Sequence, residues 1–144
     1  IVLRVIPASE YQQFDEPSLR AFDTVAWTIT VQSNRMGYRL AGPSLQRMNP
    51  TEMRSQGIVT GVIQVPPSGQ PIIQLADANS AGGYPKLAHV IQADLWRLAQ
   101  AAPGRSLRFL QVSLDEAHAA AAEQSKYLEE VGRFTAYCRV PVSA

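Results

Sequence analysis

The chain has 144 residues, of which 46% are hydrophobic and 17% are charged, and its formal net charge is +1. This composition excludes a disordered chain and is typical of one folded domain with a sizeable core. The lysines and arginines are scattered singly, which excludes the clustered basic face of a nucleic-acid-binding protein. The sequence also lacks a run of roughly 20 apolar residues, the length that a membrane helix needs.

Cysteine and histidine usage narrows the chemistry further. Cys138 is the only cysteine, so an internal disulfide and a multi-cysteine zinc site are excluded. His89 and His118 are too far apart in sequence for a paired metal motif, and we predict no metal site. We expect a cytoplasmic protein, since a lone cysteine fits a reducing compartment and no signal-peptide pattern opens the chain.

Most of the predicted elements are short strands bounded by glycine and proline turns. Apolar, β-branched residues predict strands at residues 1–6, 24–31, 37–41, 58–65, 71–76, 88–92 and 107–112. The turn Pro66-Pro67-Ser68-Gly69 joins the fourth and fifth of these as a hairpin, and Gly61 predicts a bend or a bulge in the fourth. Residues 47–56 are polar and are predicted to form a loop.

Four helical segments are predicted between and after these strands, the first of them a turn that Ser9 and Gln12 can cap and that runs through Phe14. Pro17 is suited to the first turn of one, and Asp94 is suited to cap a short helix at 95–100. The longest helix, at residues 114–131, is alanine-rich and has Gly132 as its predicted end. The tail after Gly132 is compatible with a strand or an irregular extension. Many short strands with few helices favour a mainly β fold, a closed or nearly closed β-barrel, in a single domain spanning 1–144.

Three stretches place polar residues and glycines where ordinary strands carry apolar bulk. They are residues 33–40, 61–71 and 75–86. Each alone is compatible with turn chemistry, but three such interruptions in one small domain predict loops that face a ligand. The chain lacks the Gly-Lys-Ser/Thr pattern of a P-loop, so these loops would hold a ligand in another way.

Two of these stretches offer groups that can stabilise negative charge. Gly82 and Gly83 permit positive φ and a close approach of backbone N–H groups to an anionic oxygen, although a mobile turn is the commoner role of a Gly-Gly pair. Arg35 presents a rigid fork of donors suited to a carboxylate or a developing oxyanion. The alternative is that Arg35 pairs with a surface acid while Asn34 caps the turn.

The remaining candidates are polar residues in or beside strands. Asp77 is suited to act as a general base or to orient a donor, and its alternative role is an Asx-turn. Gln64 lies in an apolar strand, where its amide either binds a substrate amide or faces water. Tyr84 can line a pocket or pack in a core, and Lys86 can supply charge or lie exposed on a strand edge.

The same segments carry a resemblance to a known family. The run Ser33-Asn34-Arg35-Met36-Gly37-Tyr38-Arg39-Leu40-Ala41-Gly42-Pro43 resembles the allophanate hydrolase subunit 2 family, also called the biotin-dependent carboxyltransferase family. Further similarity lies at residues 61–71, 82–86, 93–95, 98–100, 108–109 and 112–117, and at Asp77. The family includes the C subunit of 5-oxoprolinase and the antagonist of the sporulation kinase inhibitor.

The resemblance implies a cyclophilin-like β-barrel that forms the C-terminal half of a longer subunit. It also implies a partner, a second cyclophilin-like subunit that is similar to allophanate hydrolase subunit 1 or to the B subunit of 5-oxoprolinase. Family activities are the ATP-dependent opening of 5-oxoproline to glutamate and the transfer of a carboxyl group from carboxybiotin to urea. ATP is then the expected cofactor of the assembled complex, and biotin is expected only under the carboxyltransferase alternative.

Both activities build negative charge on the oxygen of an N–C=O group, and this shared chemistry gives each candidate residue an expected role. We expect Arg35 and the N–H groups of Gly82 and Gly83 to stabilise that charge. We expect Asp77 to accept a proton or to hold a donor. Four further residues are expected to bind or orient the substrate: Asn34, Gln64, Tyr84 and Lys86.

The preferred function is that of a subunit of an ATP-dependent 5-oxoprolinase, inactive as the isolated chain. We prefer it because the chain has neither a Met-Lys-Met biotin-attachment motif nor any part of an ATP-grasp domain. The alternatives are a carboxyltransferase component of a urea-carboxylating enzyme and a non-enzymatic antagonist of a kinase inhibitor.

Overall fold

A computed structural model describes residues 1–137, and within them nine strands build a closed barrel and a small ribbon. The strands are β1 (Val2–Pro7), β2 (Trp27–Ile29), β3 (Gly37–Ala41), β4 (Gln56–Gly57), β5 (Val62–Gln64), β6 (Ile72–Gln74), β7 (Ala81–Gly82), β8 (Lys86–Val90) and β9 (Ser106–Gln111). Seven of them close the barrel in the order β1-β8-β5-β6-β3-β2-β9, and β4 pairs with β7 outside it. The predicted mainly β barrel is confirmed.

Strand β1 closes the barrel because it pairs along both of its edges. It runs antiparallel to β8, with Val5 opposite Val90, and parallel to β9, with Leu3 opposite Phe109. Successive residues of a strand face opposite sides, so Leu3 and Val5 are fully buried while Arg4 between them reaches the outside. The apolar run that predicted this strand did not show which side faces the core, since Val2 on the outward side is apolar too.

Helix α1 (Glu16–Thr24) packs against β9 and covers that side of the barrel. Pro17 lies in its first turn, as predicted, and the Asp15 carboxylate caps its N-terminus by accepting a backbone N–H at 2.9 Å. Phe22 of this helix stacks on Phe109 of β9 with the ring centroids 4.4 Å apart. The stack joins the helix to the barrel core.

The predicted hairpin is confirmed by the antiparallel pairing of β5 with β6, where Ile63 lies opposite Ile73. Its turn contains Gly69 at φ 75°, and Gly61 just before β5 has φ 92°. Both values lie in the left-handed region that glycine adopts without steric strain. The bend expected at Gly61 is therefore present.

Asp94 stands at the N-cap position of α2 (Leu95–Ala99), but its side chain does not cap the helix. Its carboxylate accepts three hydrogen bonds from Arg4 of β1, at 2.7 to 3.1 Å, and the residue is 1% exposed. Burial acts to raise the pKa of Asp94, but the hydrogen bonds and charge of Arg4 outweigh it and hold the pKa below its ordinary value. The predicted cap was wrong because both carboxylate oxygens of Asp94 accept hydrogen bonds from Arg4, which is distant in sequence.

Helix α3 (Leu114–Tyr137) runs through Gly132, so the predicted end there was wrong. A glycine costs only about 1 kcal/mol in a helix interior, and Gly132 does not adopt the positive φ of a glycine stop. The helix begins with a capping box in which the Ser113 hydroxyl and the Glu116 carboxylate each accept the other's backbone N–H. The tail after residue 137 lies outside the described residues.

Candidate functional site

The outer face of strands β3, β6 and β5 carries a row of polar side chains. Arg39 of β3 pairs in register with Ile72 of β6, and Ile72 pairs in turn with Gln64 of β5. Ile73 is fully buried in the barrel core, so its neighbours Ile72 and Gln74 project outward. The pairing therefore places Arg39, Gln74 and Gln64 on one face of three neighbouring strands.

The ribbon of β4 and β7 covers part of this row. A Cβ built on Gly82 of β7 would lie 3.5 Å from Nε2 of Gln64, which shows how closely the ribbon approaches the sheet. Ribbon and sheet enclose a cleft of about 230 Å³. We call it the amide cleft, and the residues that define it are Asn34, Arg39, Gln64, Gln74, Gly83 and Tyr84.

Two glutamines form the centre of the amide cleft. The Nε2 of Gln64 donates to the backbone carbonyl of Tyr84 at 3.1 Å, and its Oε1 accepts from Nε2 of Gln74 at 3.0 Å. Gln64 is 2% exposed, so these bonds hold its amide in one orientation. Each amide nitrogen carries two hydrogens, so each glutamine keeps one N–H for a ligand. The alternative in which the Gln64 amide faces water is therefore wrong, since Tyr84 and Gln74 bond it within the fold.

Gly82 and Gly83 do not adopt the positive φ that the prediction allowed, but each lies close to a neighbouring segment. Neither has a positive φ in the structure. A Cβ on Gly82 would lie 2.8 Å from Cδ1 of Ile58, and one on Gly83 would lie 2.8 Å from the backbone oxygen of Met53. Gly82 is extended because the pairing of β7 with β4, remote in sequence, sets its backbone.

The backbone N–H groups of these glycines differ in availability. Gly82 lies opposite Gln56 in the ribbon. Two residues further along each strand, Ile58 lies opposite Ser80, and the Ile58 N–H donates to the Ser80 carbonyl at 2.9 Å. Antiparallel pairs alternate in bonding, so Gln56 and Gly82 are again a hydrogen-bonded pair and the Gly82 N–H is used within the ribbon. The Gly83 N–H has no hydrogen-bond partner within residues 1–137. Of the two N–H groups, it is the one left without a partner in the described part of the chain.

Arg35 and Asp77 lie together, but beside a different cleft. The Nε of Arg35 is 2.9 Å from Oδ2 of Asp77, and both line a cleft of about 490 Å³ next to helix α2. The Asn34 Oδ1 accepts the backbone N–H of Met36 at 2.9 Å, so it caps the turn. These contacts match the alternative in which Arg35 pairs with a surface acid. Asn34 lines both clefts and is the link between them.

Tyr84 and Lys86 follow the two glycines in sequence, but only Tyr84 lines the amide cleft. Tyr84 and Gly83 stand between the amide cleft and a larger cleft of about 610 Å³. The Lys86 Nζ donates to Oε1 of Gln56 at 3.0 Å, and its backbone N–H donates to the buried Glu10 at 3.0 Å. Lys86 thus ties β4 to the barrel and does not line the amide cleft.

Arg39 is a cleft residue that the sequence motifs did not identify as a site residue. It lies inside the run that carries the family resemblance, two residues after Gly37, on the same side of β3. The signal that identifies it is strand pairing, because only the register with β6 and β5 brings it beside Gln74 and Gln64. Among the described residues that line the amide cleft none is Asp or Glu, so Arg39 gives it a positive charge.

The described part of the chain adds two negative findings. Within residues 1–137 no three His, Cys, Asp or Glu side chains are grouped so that they could hold a metal ion. No helix in the same range is both long enough and apolar enough to span a bilayer.

Similarity to known proteins extends over almost the whole chain. A family described as carboxyltransferase domain, subdomain A and B, matches residues 1–111. The C subunit of the Escherichia coli 5-oxoprolinase is 45% identical over 90% of this chain and 42% of its own length, and that of Haemophilus influenzae is 47% identical over 92% and 43%. The crystal structure of the K. lactis urea amidolyase matches 90% of this chain and 8% of its own, with a TM-score of 0.84 and 25% identity. The chain thus spans less than half the length of the two curated relatives.

Proposed function

The chain belongs to the family of carboxyltransferase domains, subdomain A and B, and we propose that it is part of a subunit of an ATP-dependent 5-oxoprolinase. The observation that carries the proposal is the identity of 45–47% with the C subunit of 5-oxoprolinase from two bacteria. Those relatives are longer than this chain, and on the family resemblance we assign it to the C-terminal half of such a subunit. It would act in the cytoplasm with a second cyclophilin-like subunit.

The amide cleft suits a small cyclic amide. Gln64 and Gln74 each keep an N–H, and the Oε1 of Gln74 receives no hydrogen bond within residues 1–137. A lactam presents one C=O and one N–H, which these groups can pair. The Tyr84 carbonyl already fixes Gln64, so little side-chain freedom is lost when the ligand binds.

Ring opening of a lactam draws negative charge onto its carbonyl oxygen. Donors held in place before the reaction stabilise that charge most, and losing one typically costs about 10²–10³ in rate. Gly83 supplies a backbone N–H without a partner within residues 1–137, and Gln64 and Gln74 supply their remaining amide hydrogens. Arg35 and Asp77 bond to each other, and we assign them to holding the loop that carries Asn34.

ATP does not fit the amide cleft. A triphosphate carries several negative charges, whereas this cleft of about 230 Å³ holds one cation among the described residues, Arg39. We therefore assign ATP binding to another part of the assembled complex. The role of this chain is to bind and orient the amide.

Carboxyl transfer to urea is the second candidate. It is favoured by the TM-score of 0.84 with the K. lactis urea amidolyase over 90% of this chain. Urea is a neutral amide that can form hydrogen bonds with the same two glutamines. Biotin is a cofactor only under this second candidate. The lower identity of 25% makes it the weaker of the two.

Glutamate release from 5-oxoproline tests the proposal. The experiment uses the full parent chain co-purified with its partner subunits, with and without ATP. ATP-dependent glutamate supports the oxoprolinase function. A stable complex that releases no glutamate but transfers the carboxyl group of a carboxybiotinylated carrier to urea would favour the second candidate.

A further inference from the structure

Arg39 is a cation in the amide cleft without an acidic partner among the described residues. Its guanidinium makes no ion pair or hydrogen bond within residues 1–137, whereas Arg35 is bonded to Asp77 and Lys86 is bonded to Gln56. Arginine stays charged at any physiological pH. The amide cleft therefore presents a permanent positive charge that residues 1–137 do not neutralise.

The position of Arg39 relative to the glutamines matches a ligand with two functional groups. Arg39 and Gln64 are separated by one strand, so their Cα atoms lie about 10 Å apart at the usual strand spacing of about 4.8 Å. Ile72 lies between them, and its apolar side chain forms the floor of the cleft. A small ring that rests on Ile72 can place an amide at Gln64 and an anionic substituent at Arg39.

We propose that Arg39 binds the carboxylate of an amide acid and thereby determines that this cleft prefers 5-oxoproline to neutral amides. This inference rests on the proposed function and adds the residue that selects the substrate. The planar guanidinium can pair both carboxylate oxygens at once, which a lysine cannot do. The glutamines recognise the lactam in either case, because they pair with a group that neutral amides share.

The test compares 5-oxoproline with 2-pyrrolidinone, the same lactam ring without the carboxylate. In the complete enzyme, KM for 5-oxoproline and the inhibition constant of 2-pyrrolidinone are measured for wild type, Arg39→Met and Arg39→Lys. Arg105→Met serves as the matched control, since Arg105 is exposed and lies outside the cleft. We expect Arg39→Met to raise KM about 10- to 100-fold, the usual loss of a charge-assisted hydrogen bond. The KM of Arg39→Lys for 5-oxoproline should lie between those of wild type and Arg39→Met. The inhibition constant of 2-pyrrolidinone should stay within about twofold of the wild-type value in both variants.

The outcomes separate this inference from the proposed function. A wild-type complex that releases no glutamate overturns the proposed function, and this inference with it. An active wild type in which Arg39→Met leaves KM unchanged overturns the inference alone. Equal shifts for 5-oxoproline and 2-pyrrolidinone also overturn it, because they would show that Arg39 shapes the cleft without recognising the carboxylate.

Discussion

The Nε atom of Arg35 lies 2.9 Å from Oδ2 of Asp77, and the two side chains are 88% and 44% exposed. They are also joined through the backbone, since the Asp77 N–H donates to the Arg35 carbonyl at 3.3 Å. The pair connects the loop before β3 with the loop after β6. Its exposure and mutual bonding indicate a structural link outside the amide cleft.

A double-mutant cycle on Arg35→Ala and Asp77→Ala should therefore show weak coupling. Exposed ion pairs contribute about 0.2–1 kcal/mol, and we expect a coupling free energy of unfolding in that range from urea denaturation. In the complete enzyme each variant should lose less than about tenfold in turnover, and the double variant no more. If Arg35 were instead an oxyanion donor, Arg35→Ala alone would lower the rate by about 10²–10³ while Asp77→Ala did not.

Alanine at the two ribbon glycines should destabilise the fold to different extents. At Gly83 the new Cβ meets the Met53 backbone oxygen at 2.8 Å, and the backbone cannot easily move aside. At Gly82 it meets the end of the Ile58 side chain at 2.8 Å, which can turn away. We expect Gly83→Ala to lower the free energy of unfolding by about 1–3 kcal/mol and Gly82→Ala by less.

Two further variants test whether steric clash is the reason why alanine destabilises the ribbon at Gly82 and Gly83. Gly57→Ala is the control within the same ribbon, because nothing lies within 4 Å of its Cβ position. Adding Ile58→Val to Gly82→Ala should restore part of the lost stability if the clash at Ile58 is its cause. An equal loss for Gly57→Ala and Gly83→Ala would show that ribbon flexibility, not close approach, requires the glycines.

Replacing Gln64 by leucine should affect both stability and activity. The change leaves the Tyr84 carbonyl and the Gln74 amide without their partner, which costs about 1–3 kcal/mol in the free energy of unfolding. Turnover of 5-oxoproline in the complete enzyme should fall at least about 100-fold, because the lactam also loses its donor. Gln100→Leu, at an exposed position after α2, is the control and should retain turnover. A Gln64→Leu enzyme with full activity would remove Gln64 from the site.

His89 should make stability depend on pH near neutrality. It is half-buried on β8, and burial lowers its pKa below the ordinary value of 6.5, since desolvation disfavours the charged form. The unfolded chain then binds a proton more readily than the folded one, so stability is complete above about pH 6.5 and falls as the pH drops below it. Urea denaturation between about pH 7 and 5 should show this decline, and His89→Gln should reduce it. The exposed His118→Gln is the matched control, and a decline that His89→Gln leaves unchanged would contradict the assignment.

Local patterns in the sequence determined most of the strands, the hairpin and the helix starts. The apolar run that contains Leu3 and Val5, the glycine turn at Gly69 and the first-turn Pro17 each act within a few residues, so their effects are visible in the sequence alone. The motif run from Ser33 to Pro43 likewise contains residues that line one edge of the amide cleft. What these patterns do not contain is which of the two arginines in that run faces the cleft.

Only the tertiary structure decided the composition of the site. Arg35 is neutralised by a residue 42 positions away, whereas Arg39 joins Gln64 because β3, β6 and β5 pair in one particular register. Gly82 is extended rather than left-handed because β7 pairs with β4, and that pairing joins segments with no apolar periodicity of their own. The sequence by itself determined a mainly β fold and predicted a ligand-facing loop region. Long-range strand pairing then selected the residues that meet there, since register is a property of two strands and not of one.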